Sequence, residues 1–416
     1  VLGRGGLANM AWRNLRRHRR RMLITLSSIS FGILLAVLFT GMGDHSYSKM
    51  IDLAARMGTG HVAFQHPDYQ DAPSLKKTIG GTDELRTLAL ADPEVQRVVT
   101  RISGPVMLAT AANSSGAYFL GIDPQDEDAD TLAGYDSITQ GELFAESTGK
   151  GIVLGKVLAD NLDVTLGKKV VYTLTNIDGK IVSGLARVKG IVDTGSPGLD
   201  GTLCLFPLET ARKALAYPPH TATHVALYTD DQRVSSEVAE RLAPQLPEGV
   251  VAATWREAQP ELAGFISLDR AGAVVFEIII LIVVAAGIFN SLYVSVVQRS
   301  RELGIMMAVG FTPAQLFALV MWESLWLALL GLVAGALVTA GPYLYLNRNG
   351  LDFSEVMGGE GSEVSGIAFD PVIYPEVFPD HLVAIGIVVV ITTLLAGILP
   401  ALRAGRVVPV EAVRLG

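Results

Sequence analysis

Residues 271–317 read AGAVVFEIIILIVVAAGIFNSLYVSVVQRSRELGIMMAVGFTPAQLF. From 278 to 298 there are 21 uncharged residues, about the length a helix needs to cross the hydrocarbon core of a bilayer. Arg299, Arg301 and Glu302 then leave the lipid, and Leu303, Ile305, Met306, Met307 and Val309 form an apolar cluster on one short helix. Gly310 predicts its end, as a glycine does just past a helix C-terminus. Thr312-Pro313-Ala314-Gln315 restarts a helix with a hydroxyl at the N-cap, proline at the first turn and glutamine at the third position. A membrane helix thus hands over to a small amphipathic helix, which hands back to another membrane helix. Such a helix gives a cytoplasmic partner a handle on the membrane bundle.

Working outward, the rest of the chain fits an integral membrane protein with a large water-soluble part. Half of the 416 residues are hydrophobic and 18% are charged, and the mean hydropathy is +0.40. A single cysteine, Cys204, excludes an internal disulfide framework. The net charge of −8 hides an asymmetry. Seven arginines and no acid precede Met22, whereas residues 44–263 carry 29 acids against 19 bases. The basic cluster beside an apolar run is a positive-inside signal. Anionic lipid headgroups account for it better than nucleic acid does.

Residues 1–21 are expected to form a cytoplasmic amphipathic helix, with Trp12 and Leu15 towards lipid and Arg13, Arg16 and Arg17 at the membrane surface. Residues 22–43 form the first span, read as a retained anchor because the run is longer than a usual signal core and lacks a clear cleavage site. Residues 44–268 then form an extracytoplasmic mixed α/β domain. Alternating or β-branched runs separated by turn residues mark its strands, with a β-rich insertion at about 151–206. The second span covers 269–298, the amphipathic segment 299–312 and the third span 313–346. A Gly-, Asp- and Glu-rich loop at 347–380, a fourth span at 381–402 and a basic tail at 403–416 complete the chain.

No residue pattern here supports covalent chemistry. A phosphate-binding loop needs G-x-x-x-x-G-K-[ST]. The nearest look-alike, around Gly155-Lys156-Val157, has Lys150 in place of the first glycine and valine in place of the hydroxyl residue. Seven scattered histidines do not suggest a metal site. Two acids lie inside apolar runs, Glu277 and Glu323, and such residues are functional candidates by default. Glu277 sits near the far-side end of its span, where it can reach water or serve a transport path. Glu323 lies about 15 Å into its helix at 1.5 Å per residue, either bonding another helix or lying on a substrate path. Gly331 and Gly335 have the spacing that lets helices approach closely, and with Gly341 they outline a small-residue face.

Three segments together carry a family resemblance: MAWRNLRRHRRRMLITLSSISFGILL at the N-terminal end, VVQRSRELGIMMAVGFTPAQLFALVMWESLWLALLGLVAG in the centre, and LPALRAGRVVPVEAVR at the tail. They resemble the FtsX/MacB/lipoprotein-releasing superfamily of ABC transporter permeases, the type VII or mechanotransmission class. The resemblance implies an α-helical membrane protein with four transmembrane helices and a MacB-type α/β periplasmic domain. It implies a bacterial inner-membrane location and work as a dimer, with a second copy or a paralogue. It also implies a separate or fused ABC ATPase that supplies ATP and magnesium, this chain holding no cofactor of its own. The ATPase-coupling residues would be Arg299, Arg301, Glu302, Leu303, Gly304, Ile305, Met306, Val309 and Gly310.

Within the superfamily, length and domain order are similar to the lipoprotein-releasing LolC/LolE branch. The MacB branch usually carries an N-terminal ATPase, and the cell-division branch has a smaller extracytoplasmic domain. The expected function is therefore ATP-coupled release of lipoproteins, with membrane lipid and a periplasmic lipoprotein carrier as further partners. The alternatives are tripartite export, activation of an extracytoplasmic enzyme, or a membrane-anchored sensor or adhesion module without an ATPase.

Overall fold

The first apolar run belongs to a helix much longer than a membrane span. The computed structural model describes residues 4–355, 363–364, 367–368 and 372–406. Helix α1 covers Arg4–Arg17 and α2 covers Arg19–Arg56. The chain breaks between them at His18, where five arginines crowd within six positions, 16 to 21. Like charges three and four apart weaken a continuous helix there. The 38 residues of α2 reach about 57 Å at 1.5 Å per residue, so the helix does not end where the apolar run does. Beyond it, Met50, Ile51 and Ala54 keep one face buried against Leu262, Ala263 and Ile266.

Residues Ser46–Ser267 belong to one compact unit, periplasmic in the sequence reading. Its elements run β1 Val62–Gln65, α3 Thr82–Leu90, β2 Val95–Ala109, β3 Ser114–Ile122, β4 Ile138–Gly141, β5 Gly151–Gly155 and α4 Lys156–Asn161. They continue with β6 Lys169–Thr175, β7 Ile181–Val192, α5 Pro197–Asp200, β8 Leu203–Pro207, α6 Leu208–Ala214, β9 His224–Thr229, α7 Ser235–Leu242, β10 Val251–Thr254 and α8 Trp255–Ala258. The order β10-β1-β9-β2 forms an open antiparallel layer. Helices α3 and α7 cover it, burying Leu85, Ala89, Val238 and Leu242 on Val62, Phe64, Val98, Val225 and Leu227.

Strand β2 serves two sheets. Its first half, through Arg101, pairs with β9, and from Ile102 onward it pairs with β3. The pairings β2–β3, β3–β8, β8–β5, β5–β7, β7–β6 and β6–β2 then close on themselves. A small barrel results, with Ile102, Leu108, Phe119, Leu154, Leu158, Val170 and Phe206 in its core. The β-rich part is therefore not confined to 151–206. Closing the barrel recruits β2 and β3 from before that window, because the strands inside it leave the ring open.

Where β2 changes partners, Arg101 is fully buried with Glu127. Arg101 Nε donates to Glu127 Oε1 at 2.9 Å and Nη2 to Oε2 at 2.7 Å. Its remaining donors reach Gly58 O at 2.8 Å and Thr131 O at 2.7 Å. Tyr228 Oη donates to Ala55 O and Thr131 O, and His224 Nε2 lies 3.0 Å from Gly58 O. The C-terminal end of α2 is thereby fastened to β2 and β9. Burial, with Arg101 nearby, lowers the His224 pKa to about 4.

The other unit comprises residues 1–45, 268–352 and 372–416. Besides α1 and the start of α2, it holds the greater part of α9 (Pro260–Gln298), then α10 (Ser300–Ala308), α11 (Pro313–Asn349) and α12 (Pro379–Ala404). Among the described residues, α2, α9, α11 and α12 are long and apolar enough to cross a membrane. Both α2 and α9 run unbroken from residues of this unit into residues of the periplasmic one. The glycine pair of α11 packs on the first span: a Cβ at Gly331 would meet Ile29 at 2.6 Å, and one at Gly335 would run into Ile33. Gly341 has nothing within 4 Å and lies off that contact. At the far end of the first span, Asp44 accepts from Phe378 N at 3.2 Å and lies 2.7 Å from His381 Nδ1. Its negative charge thus sits at the start of α12, where a helix dipole favours it. The loop expected at 347–380 is described only in part; there Leu351–Asp352 pairs with Val372–Ile373. Of the tail motif LPALRAGRVVPVEAVR, the part from residue 407 on lies outside the described residues.

Candidate coupling site

Helix α9 stops at Arg299, whose backbone (φ −101°, ψ 12°) leaves the helical region. Helix α10 follows at once. It ends in a Schellman motif: Phe311 N donates to Met306 O, Gly310 N donates to Met307 O, and Gly310 takes φ +108°. The next helix starts with both bonds of a capping box, Thr312 N to Gln315 Oε1 at 2.8 Å and Gln315 N to Thr312 Oγ1 at 3.3 Å. The turn chemistry legible in the sequence is what shapes this corner.

The residues of α10 divide into two faces. Leu303 and Gly304 are buried, Leu303 among Val296, Leu316, Val320, Ala401 and Ala404. Met306 and Met307 are half-buried against the same cluster. Arg301, Glu302, Ile305, Val309 and Gly310 are exposed, with Val309 78% accessible and Ile305 49%. Leu303 and Gly304 therefore anchor the helix to the bundle, while Ile305 and Val309 are left on its outer face. Spacing explains the division: 303 and 307 share one face, 305 and 309 the other.

Arg299, expected among the partner-facing residues, points inward instead and is 7% exposed. Its Nη1 donates to Glu323 Oε1 at 2.9 Å and Oε2 at 3.1 Å. Its Nε donates to Glu302 at 3.3 Å. Glu323 is 5% exposed and also accepts from Asn14 Nδ2 of α1 at 2.9 Å. Of the two readings open for Glu323, the structure shows the carboxylate bonding neighbouring segments. Glu277 is exposed and accepts from Thr40 Oγ1 of the first span at 3.2 Å.

Trp12 and Leu15, expected towards lipid, pack on the bundle instead. Trp12 lies against Trp326, ring centroids 5.2 Å apart, and Leu15 is buried in the bundle core. Trp326 Nε1 donates to Ala8 O at 3.2 Å. Arg13, Arg16 and Arg17 remain exposed. Helix α1 thus uses its apolar stripe on α11 and leaves its arginines outward. Sequence reasoning missed Asn14 and Arg21. Arg21 donates to Gln298 at the end of α9. A cavity of about 30 Å3 beside them is lined in part by Asn14, Arg21, Thr25, Ser291, Arg299 and Glu323.

Two family profiles match this chain. The MacB-like periplasmic core domain covers residues 22–245, and the FtsX-like permease C-terminal family covers 274–409. The chain belongs to the FtsX/MacB/LolC-type family of ABC transporter permeases. It is 24% identical to the lipoprotein-releasing system transmembrane protein LolC of Xylella fastidiosa, over 97% of each chain. The LolE protein of Haemophilus influenzae is 22% identical, again over 97% of each. A macrolide export ATP-binding/permease protein MacB from Paracoccus denitrificans is 26% identical over 86% of this chain, which spans 54% of that relative. Among solved structures, the periplasmic region of MacB from Actinobacillus actinomycetemcomitans covers 51% of the chain at 15% identity, with a TM-score of 0.34.

Family membership places this permease in the inner membrane, with its α/β unit in the periplasm. Helix α10, between the second and third spans, then lies on the cytoplasmic side. Members of the family work with an ABC ATPase.

Proposed function

We propose that this permease couples ATP hydrolysis by a cytoplasmic ABC ATPase to movement of its periplasmic unit, and that the movement releases lipoproteins from the inner membrane. The observation that carries the coupling is α10, a short helix between two spans with Ile305 and Val309 exposed and Leu303 locked into the bundle. ATP and magnesium belong to the partner, which docks on Arg301, Glu302, Ile305, Val309 and Gly310. Two helices, α2 and α9, supply the continuous path from membrane to periplasm.

The lipoprotein assignment is supported by relatives named for lipoprotein release that match along nearly their whole length. A second copy or a paralogue is expected beside α9, because only 6% of its apolar stretch is buried within this chain, against 44% for α11. Lipid and a periplasmic lipoprotein carrier complete the expected partners. A second reading, export together with other envelope components, draws on the MacB relative, whose identity over the matched part is as high.

The test is release of a triacylated lipoprotein from proteoliposomes holding the permease and its ATPase. ATP-dependent transfer of the lipoprotein to a soluble acceptor is expected. Retention of the lipoprotein, together with ATP-dependent co-purification of an outer-membrane channel, would move the assignment to the second reading.

A further inference from the structure

The Glu323 carboxylate joins three segments on the cytoplasmic side through polar contacts. Arg299 holds it from the break between α9 and α10, at 2.9 and 3.1 Å. Asn14 holds it from α1, at 2.9 Å. The carboxylate itself belongs to α11, three residues before Trp326, which fixes α1 a second time through Trp12 and Ala8 O. Glu323 and Arg299 are both more than nine-tenths buried.

A buried ion pair is a poor way to gain stability, since the loss of hydration about cancels the attraction. An apolar pair of similar volume would hold α10 as well. What an ion pair adds is a fixed register, because removal of either partner leaves a buried charge without compensation. The location of the pair gives that property a use. Arg299 is the residue at which the second span breaks, so any tilt of α10 moves its guanidinium first. Among the described residues, the outer face of α10 carries no such bond to α1 or α11.

We infer that Glu323 is a positioning residue: through Arg299 and Asn14 it makes α10, α1 and the cytoplasmic half of α11 move as one body when the ATPase pushes on α10. This rests on the coupling role proposed for α10. The interfacial helix then has a mechanical part as well as a lipid-facing one: the arginines on its outer side travel along the headgroups as α10 moves.

The experiment measures one distance in the full permease with its ATPase bound. Spin labels go on Arg17→Cys in α1 and Ala308→Cys in α10, both exposed positions. The native Cys204 is buried and stays unlabelled. In the wild-type background the distance distribution is expected to be the same without nucleotide and with ATP trapped. In Glu323→Gln it is expected to broaden and to shift when ATP is trapped. Asn14→Ala, which leaves the ion pair in place and removes only the bond to α1, is expected to do the same and guards against misfolding of the first variant. The charge-swapped pair Arg299→Glu with Glu323→Arg is expected to restore the narrow distribution, which a general loss of packing would not. A wild-type distance that changes with ATP, or variants whose distributions match wild type in both states, would overturn the inference. Ile305→Asp with Val309→Asp separates it from the reading beneath it. If that variant keeps the ATPase, the α10 assignment fails; if it loses the ATPase while Glu323→Gln behaves as wild type, only the joint fails.

Discussion

Two buried arginines show how differently one residue type can be used. Arg101 has both edges of its guanidinium engaged by Glu127 and two backbone carbonyls, with no side-chain exposure. Glu127→Gln should leave that charge without its counterion and destabilise the periplasmic unit by about 3–5 kcal/mol. Thermal unfolding of the purified permease would measure the loss. His224, beside it, has a folded-state pKa of about 4, below the ~6.5 of an exposed imidazole. Between those values the unfolded chain takes up a proton that the folded chain refuses. Stability present above pH 6.5 is therefore lost as the pH falls toward 4, by up to about 3 kcal/mol. His224→Gln should flatten this part of the acid response, checked by comparing unfolding temperatures of variant and parent at pH 7 and pH 4.5. None of this was visible in the sequence, where Arg101, Glu127 and His224 stand far apart and belong to no motif. The Asn14–Glu323 bond was hidden for the same reason, since a contact across 309 positions leaves no periodic trace. Glu323 itself stood out only because an acid inside an apolar run is costly.

At the scale of elements, local chemistry was far more legible. The corner at Gly310 to Gln315 follows from residues within one turn of each other, and both its Schellman bonds and its capping box are present. Thr312→Ala should cost about 1 kcal/mol by removing one N-cap acceptor, read as a lower unfolding temperature. The strands of the α/β unit also announced themselves by alternating or β-branched runs between turns. Helix lengths did not. The apolar pattern of α2 and α9 stops at the membrane face, but amphipathic residues such as Met50, Ile51 and Leu262 continue the helices by packing on each other. The barrel was equally out of reach, because closing it depends on β6 pairing with β2 some sixty positions earlier. The glycine face resolves into two kinds of position. Gly331→Leu or Gly335→Leu would push into Ile29 or Ile33 and should cost about 1–3 kcal/mol as overpacking does. Gly341→Leu, with open space around it, should leave the unfolding temperature in detergent unchanged.

For the whole molecule, the proposed function rests on the transfer of motion. In the proposed mechanism the exposed apolar pair of α10 receives the push, while Leu303 and the Arg299–Glu323 pair keep the helix on the bundle. At the end of α2, within the periplasmic unit, Arg101 and Tyr228 grip the last turn and Gly58. The most direct test of this account is site-specific photocrosslinking from α10 in native membranes. A crosslinker at Ile305 or Val309 is predicted to capture an ABC ATPase, and one at the buried Leu303 is predicted to capture none. Recovery of an ATPase with the permease but no crosslink from either exposed position would contradict the account.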